Sequence, residues 1–116
     1  MPIQLRRVYD PPERPGGYAV FVDRLWPRGL KKSAAWWDEW CKEIAPSPEL
    51  RTWFGHDPAR FDEFTRRYRA ELAEPDKQAI IDRWAALPEL TLVYAARDPK
   101  INHAVVLRDA VADALR

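Results

Sequence analysis

Two stretches of this chain have the character of strands that protein covers on both faces. The segments "YAVFVDRL" (18–25) and "LTLVYAA" (90–96) are nearly continuous runs of β-branched, aromatic and aliphatic residues. They lack the polar–apolar alternation of a half-exposed strand. A third segment, "IQLRRVY" (3–9), also has strand character. The pattern predicts an α/β fold, a small three-layer domain with a mainly parallel sheet and helices on both of its faces.

Proline marks the predicted helix starts. Four dipeptides place a side-chain acceptor before a proline, which suits the first helical position because its missing N–H would be unpaired there: Ser47-Pro48, Asp57-Pro58, Glu74-Pro75 and Asp98-Pro99. Apolar residues follow at helical spacing after Pro58 and Pro75 and again between residues 104 and 115. Ser33 is predicted to cap a further helix that carries Trp37, Trp40 and Ile44.

The segment "DPPERPGGY" (10–18) is a turn-rich loop between the first two predicted strands. Its two glycines could close a hairpin between antiparallel strands, or the segment could be a short crossover between parallel ones. The sequence leaves both alternatives open.

Composition limits the classes of function. The 116 residues suit one domain, 1–116, and 19 Lys and Arg against 18 Asp and Glu give a net charge of +1, which disfavours a nucleic-acid or membrane partner. No apolar run approaches the roughly 20 residues of a membrane span, and the N-terminus lacks a signal-peptide core, so we expect a cytoplasmic protein. Cys41 is the only cysteine, and the two histidines lie far apart. We therefore predict no disulfide and no metal site, and the sequence leaves open whether the protein uses a cofactor.

Two strand ends carry the residues from which a function is expected. In open α/β sheets ligands bind beyond the carboxyl ends of the strands, and here these ends supply Asp23, Arg24, Arg28, Arg97, Asp98, Asn102 and His103. If the two ends meet, they form an anion site for a small, phosphate-bearing molecule. The three arginines would bind the anion through forked hydrogen bonds, helped by N–H groups at a helix start.

His103 is the candidate general acid or base, with Asp23 or Asp98 orienting its ring. The alternative is that these arginines and aspartates form structural ion pairs. Whether the domain is an enzyme is left open by these residues.

Two other classes of function use different parts of the chain. The basic loop 24–32 could bind nucleic acid, with Trp26 as a stacking platform, although the near-neutral net charge disfavours this. The tryptophan-rich region could instead be a protein-interaction surface. Because Trp36 and Trp37 would point about 100° apart on a helix, one of them could form a homodimer contact.

The segments "VDRLWPRGLKK", "APSPELRTWFGHDP" and "LTLVYAARDPKINHAVVLRDAV" resemble the YeaO-like branch of the family called domain of unknown function 488 (DUF488). The resemblance covers nearly the whole chain and implies a compact three-layer α/β domain with a mainly parallel sheet. It favours the crossover at residues 10–17.

The wider family carries an Asp-x-Arg-x-x-Pro-like element after one strand, which Asp23, Arg24, Pro27 and Arg28 resemble. It also carries a Cys-x-Glu…Cys-His-Arg element around the last strand. His103 matches that element, but other residues stand at its remaining positions: Tyr94, Ala96, Asn102 and Ala104. A thiol or cysteine-metal mechanism would therefore lack its ligands in this chain.

Overall fold

The structure, a computed structural model, describes residues 3–12 and 17–115. Within these ranges the chain forms four strands and four α-helices: β1 (Ile3–Arg7), β2 (Tyr18–Phe21), β3 (Glu39–Trp40), α1 (Pro48–Phe54), α2 (Phe61–Leu72), α3 (Pro75–Ala85), β4 (Leu90–Tyr94) and α4 (His103–Ala114). Short 3-10 turns precede β3, α1 and α2. The predicted α/β domain is confirmed.

The sheet has the order β1-β4-β2-β3, and every neighbouring pair is parallel. Leu92 of β4 lies between Leu5 of β1 and Val20 of β2. Because β1 and β2 are both parallel to β4, the segment between them is a crossover, and the hairpin alternative is wrong. Residues 13–16 of that segment lie outside the described residues. Gly17, at φ 75°, has no room for a side chain because a Cβ atom would collide with Cβ of Glu89.

One face of the sheet packs against all four α-helices. Val20, Leu90 and Leu92 form a single buried cluster with Tyr68 of α2 and Trp84 of α3. The Tyr68 hydroxyl donates to the carbonyl of Ile44 at 2.7 Å, which satisfies the one polar atom of that buried side chain. This cluster is the main core of the domain.

Tryptophans of the segment before β3 cover the opposite face. Phe21 and Val93 are buried there under Trp36 and Trp37, and the Trp36 indole N–H donates to the Val8 carbonyl at 2.9 Å. The third layer is therefore an irregular segment with one 3-10 turn, Lys32–Ala34, where helices were expected on both faces.

The predicted helix that begins after Ser33 and carries Trp37, Trp40 and Ile44 is wrong. This segment instead bonds to the edge of β2: the Asp38 N–H donates to the Ala19 carbonyl at 2.8 Å, and the Cys41 N–H donates to the Phe21 carbonyl at 2.9 Å. These non-local bonds satisfy the backbone of an edge that would otherwise be open. The large side chains have helical spacing, but the segment forms a two-residue strand between two 3-10 turns.

Three of the four proline-marked starts are confirmed. The Ser47 hydroxyl accepts from the Leu50 N–H at the start of α1, Asp57 begins the 3-10 turn that leads into α2, and α3 begins at Pro75. The fourth start is wrong. The Asp98 carboxylate accepts from the backbone N–H groups of the next residues and closes a turn, and α4 begins at His103, where the Asn102 side chain accepts from the Val105 N–H at 3.1 Å.

In the part of the chain that the structure describes, no helix has the length and apolar character that crossing a membrane requires.

Candidate functional site

A cleft of about 330 Å³ opens at the carboxyl ends of the neighbouring strands β2 and β4. We call it the carboxyl-edge cleft. Its polar and charged lining consists of Tyr9, Asp23, Arg24, Arg28, Arg51, His56, Asn102 and His103. Its apolar lining consists of Leu25, Trp26, Pro27, Ala45, Pro46, Phe54, Phe64, Ala95 and Ala96. The cleft thus combines several cationic groups with one carboxylate and a largely aromatic and aliphatic wall.

Asp23 and His103 come from the two strand ends that the sequence predicted to meet. Nε2 of His103 lies 3.1 Å from the Val22 carbonyl oxygen and 3.3 Å from Oδ1 of Asp23. Because a carbonyl oxygen can only accept, Nε2 carries a hydrogen in this contact. Nδ1 is then the ring nitrogen that is left to exchange a proton.

The Asp23 carboxylate lies in an environment that disfavours its charge. Burial raises the pKa of Asp23, although His103, the backbone N–H of Ala95 and the more distant Arg51 and His56 act in the opposite direction. Oδ1 of Asp23 is fully buried and accepts no hydrogen bond from the described residues, since the nearby N–H of His103 also faces Val22. The carboxylate is therefore near cations but incompletely hydrogen-bonded.

Arg24 holds the chain segment before α1 against the end of β2. Its Nη2 donates to the carbonyl oxygens of Ala45 and Pro46, both at 3.3 Å. Its Nε is buried and has no hydrogen-bond partner among the described residues. Arg24 is thus held in the wall of the cleft by its Nη2, and its buried Nε–H is left without a partner among the described residues.

Arg28 and Arg51 are exposed cations of the cleft. The hydroxyl of Tyr9 donates to the Arg28 backbone carbonyl at 2.9 Å, which anchors the loop while leaving the guanidinium uncommitted. Within the described residues, neither guanidinium has a hydrogen bond or ion pair. Both side chains can therefore turn toward a ligand without breaking an internal contact.

His56 lines the cleft from the turn after α1, and the sequence analysis missed it. Its backbone has φ 57°, directly after Gly55 at φ 54°, so two successive residues adopt the left-handed conformation. That conformation costs a non-glycine residue about 1 kcal/mol or more. The pair Gly-His after a predicted short helix was the available signal. Arg51, which lies in α1 itself, was also missed, because the sequence does not show which face of α1 is turned toward the cleft.

Five of the seven predicted site residues line the cleft: Asp23, Arg24, Arg28, Asn102 and His103. Asn102 is buried, and its side chain accepts from the Val105 N–H at the start of α4 and donates to the Asp98 carbonyl. Arg97 lies on the other side of the strand end, in an open depression that also includes Arg6, Arg7 and Asp10. Asp98 closes its own turn and does not line the cleft.

Trp26 is largely committed to the protein itself. Its ring centroid lies 5.3 Å from that of Trp37 and 5.6 Å from that of Trp40, and its indole N–H donates to the Leu30 carbonyl. Trp26 thus helps to fix the loop that carries Arg24 and Arg28, and part of its ring faces the cleft.

The described residues contain no group of three or more His, Cys, Asp or Glu side chains arranged to hold a metal ion. Cys41 is buried away from the cleft, and burial raises the pKa of its thiol to about 11. Cys41 is therefore a protonated core thiol at neutral pH.

A family model described as the inactive DUF488-N3 subclade matches residues 2–116. The chain belongs to this subclade. It is 47% identical to the uncharacterized protein YeaO of Escherichia coli strain K12 over 111 residues, which cover 94% of this chain and 96% of YeaO. It is 40% identical to the uncharacterized protein Rv3073c of Mycobacterium tuberculosis strain H37Rv, with 90% of this chain and 89% of that protein covered. The uncharacterized protein Mb3100c of Mycobacterium bovis is equally similar. No solved structure matches the chain.

Membership of DUF488 confirms the resemblance that the sequence motifs carried. The quoted motif "APSPELRTWFGHDP" contains both Arg51 and His56, the two cleft residues that the site prediction omitted.

Proposed function

We propose that this DUF488 domain binds a small anionic, phosphate-bearing molecule in the carboxyl-edge cleft. The observation that carries the proposal is the charge of the cleft lining: among the described residues, Arg24, Arg28 and Arg51 are opposed by the single carboxylate of Asp23. Such an excess of cationic groups attracts and orients an anion, and guanidinium groups match phosphate oxygens with paired hydrogen bonds.

The three arginines have different parts in this proposal. Arg24 is a preorganised donor, because its Nη2 is fixed and its buried Nε has no partner among the described residues. Arg28 and Arg51 are exposed and would close on the anion from the mouth of the cleft. Arg97, which the sequence placed with them, is not part of the proposed clamp because it lies in the other depression.

Binding without turnover is the form of the function that we favour. The subclade is described as inactive. In this chain Nε2 of His103 is committed to the Val22 carbonyl, and the Asp23 carboxylate is only partly satisfied. We therefore propose that His103 and Asp23 set the charge of the cleft and do not carry out a reaction.

The test is isothermal titration of the protein with inorganic phosphate at low ionic strength. We expect saturable binding to the unmodified chain and a loss of at least about tenfold in affinity in the double variant R28A/R51A, because two charge-assisted contacts are removed. Both side chains are exposed and lack internal partners among the described residues, so the variant should keep its fold.

The matched control is the double variant R97A/K100A. It removes the same charge from exposed positions that do not line the cleft. We expect its phosphate affinity to stay within about twofold of the unmodified chain. Equal losses in the two double variants, or no binding to the unmodified chain, would contradict the proposal.

A further inference from the structure

We infer that the ligand of the carboxyl-edge cleft carries an aromatic or similarly planar apolar ring next to its acidic group. This inference rests on the proposed function and narrows the class of anion. A bare oxyanion would use the arginines alone, whereas the rest of the cleft wall offers a different kind of contact.

The size of the cleft is the first observation. Its volume of about 330 Å³ lies at the lower end of the range of small-molecule ligand pockets, roughly 300 to 1,000 Å³. A bare phosphate or sulfate would leave most of that space to solvent. An anion with an attached ring would fill it.

The aromatic part of the wall is the second observation. Phe54 and Phe64 stack on each other with centroids 4.1 Å apart, and these two buried rings form an apolar base of the cleft. Part of Trp26 and the ring of His56 add further planar groups. Ligand sites of this composition hold the apolar body of a molecule, while a few polar groups fix its orientation.

Leu25 is the third observation. It directly follows Arg24, lines the cleft and is 58% exposed, although most large apolar side chains of the described chain are buried. Leu25 belongs to neither hydrophobic cluster of the described residues. A leucine beside the proposed anion clamp can cover one face of a bound ring, which would remove its own apolar surface from water.

The experiment compares three probes in the same titration: inorganic phosphate, phenyl phosphate and phenol. They present the anion alone, the anion with a ring, and the ring without the anion. We expect phenyl phosphate to bind at least about tenfold more tightly than inorganic phosphate, because a buried ring contributes more than 1 kcal/mol, and phenol to bind more weakly than phenyl phosphate.

The variant L25A separates the ring contact from the anion contact. We expect L25A to lower the affinity for phenyl phosphate about three- to tenfold and to leave the affinity for inorganic phosphate unchanged, because only apolar contact is lost. The control is L115A, which truncates another exposed leucine at the end of α4, outside the cleft, and should change neither affinity. Circular dichroism of both variants checks that the fold is retained.

The outcomes distinguish the two proposals. Equal affinities for phenyl phosphate and inorganic phosphate would overturn the ring inference and leave the anion site standing. Phenol that binds as tightly as phenyl phosphate, or the absence of binding by every probe, would overturn the proposed function itself. Loss of inorganic phosphate binding in L25A would also contradict the ring inference, because this leucine would then act on the anion.

Discussion

Asp23 supplies the negative charge that opposes the arginines of the carboxyl-edge cleft. Among the described residues it is the one carboxylate that lines the cleft, and its Oδ1 lies 3.3 Å from Nε2 of His103. We expect D23N to bind inorganic phosphate roughly three- to tenfold more tightly, because a repulsive charge several ångströms from the anion is removed. Isothermal titration measures the change. An unchanged or weaker affinity would mean that the anion does not approach Asp23.

The same substitution, D23N, also tests how Asp23 makes the stability of the protein depend on pH. Burial raises the pKa of Asp23 above its ordinary value of 3.8, so the native state binds this proton at pH values where the unfolded chain has released it. The contribution of Asp23 to stability is therefore most favourable below that value and falls as the pH rises through the folded-state pKa. We expect the unfolding free energy of D23N, relative to that of the unmodified chain, to rise as the pH is raised from the ordinary Asp value of 3.8 through the folded-state pKa.

Urea unfolding of the two proteins across this range tests the sign. A difference that shrinks as the pH rises would show that Asp23 is better stabilised as a carboxylate than its burial indicates.

His56 combines backbone strain with a position in the cleft. We compare H56G with H56A, since both remove the imidazole but only glycine adopts a φ of 57° without strain. H56G should be about 1 kcal/mol more stable than H56A, and the two variants should lose equal affinity for phenyl phosphate. Thermal unfolding and titration supply the two measurements. If H56A bound phenyl phosphate far more weakly than H56G, the loss of affinity would reflect the lower stability of H56A, and His56 would have a structural role.

Residue patterns predicted the centre of the site better than its edges. Asp23, Arg24 and His103 could be predicted because each stands directly beyond a strand or at a helix start. Arg97 lies outside the cleft, because Ala95 and Ala96 line it while the Arg97 side chain lies in the depression with Arg6 and Arg7. Which way a side chain points after a strand ends depends on how the loop leaves the sheet, and sequence does not specify this.

At the scale of elements, local signals were reliable and non-local ones were not. Pro48, Pro58 and Pro75 each mark a real helical start because capping depends on a few adjacent residues. The two-residue strand β3 could not be predicted, since it exists through bonds to β2 about twenty positions earlier. The helical spacing of its large side chains reflects their packing on the sheet and on one another.

Two serines test this difference directly. Ser47 caps α1, and its N–H and hydroxyl donate to the two Glu71 carboxylate oxygens at 2.9 and 2.6 Å, which joins α1 to α2. S47A should cost about 1 to 2 kcal/mol of unfolding free energy, because it removes the cap and one of the charge-assisted hydrogen bonds to Glu71.

Ser33 is the matched control, because the sequence predicted it as a cap for a helix that does not form. It is exposed and belongs to a 3-10 turn without a side-chain cap. S33A should change the unfolding free energy by less than about 0.5 kcal/mol. Urea unfolding of both variants provides the comparison, and equal costs would argue that residues 33–44 form the helix after all.

The sheet order explains why the whole molecule has its cleft at this edge. β4 lies between β1 and β2, so its carboxyl end is flanked by the segments that follow these two strands, and the helices of the main core close one side. The tryptophan-covered face holds the loop with Arg24 and Arg28 in place through contacts of Trp26 with Trp37 and Trp40. The helical layer thus supplies apolar rings to the cleft, and the loop held by the tryptophan-covered layer supplies two of its arginines.

A crystal structure of the protein with phenyl phosphate tests the central claim most directly. Arginines line two depressions formed by the described residues: Arg24, Arg28 and Arg51 line the carboxyl-edge cleft, and Arg6, Arg7 and Arg97 line the open one. We predict the phosphoryl group within hydrogen-bond distance of the first set and the ring against Leu25 and the aromatic wall. A phosphoryl group bound to the second set, with the carboxyl-edge cleft empty, would contradict the account.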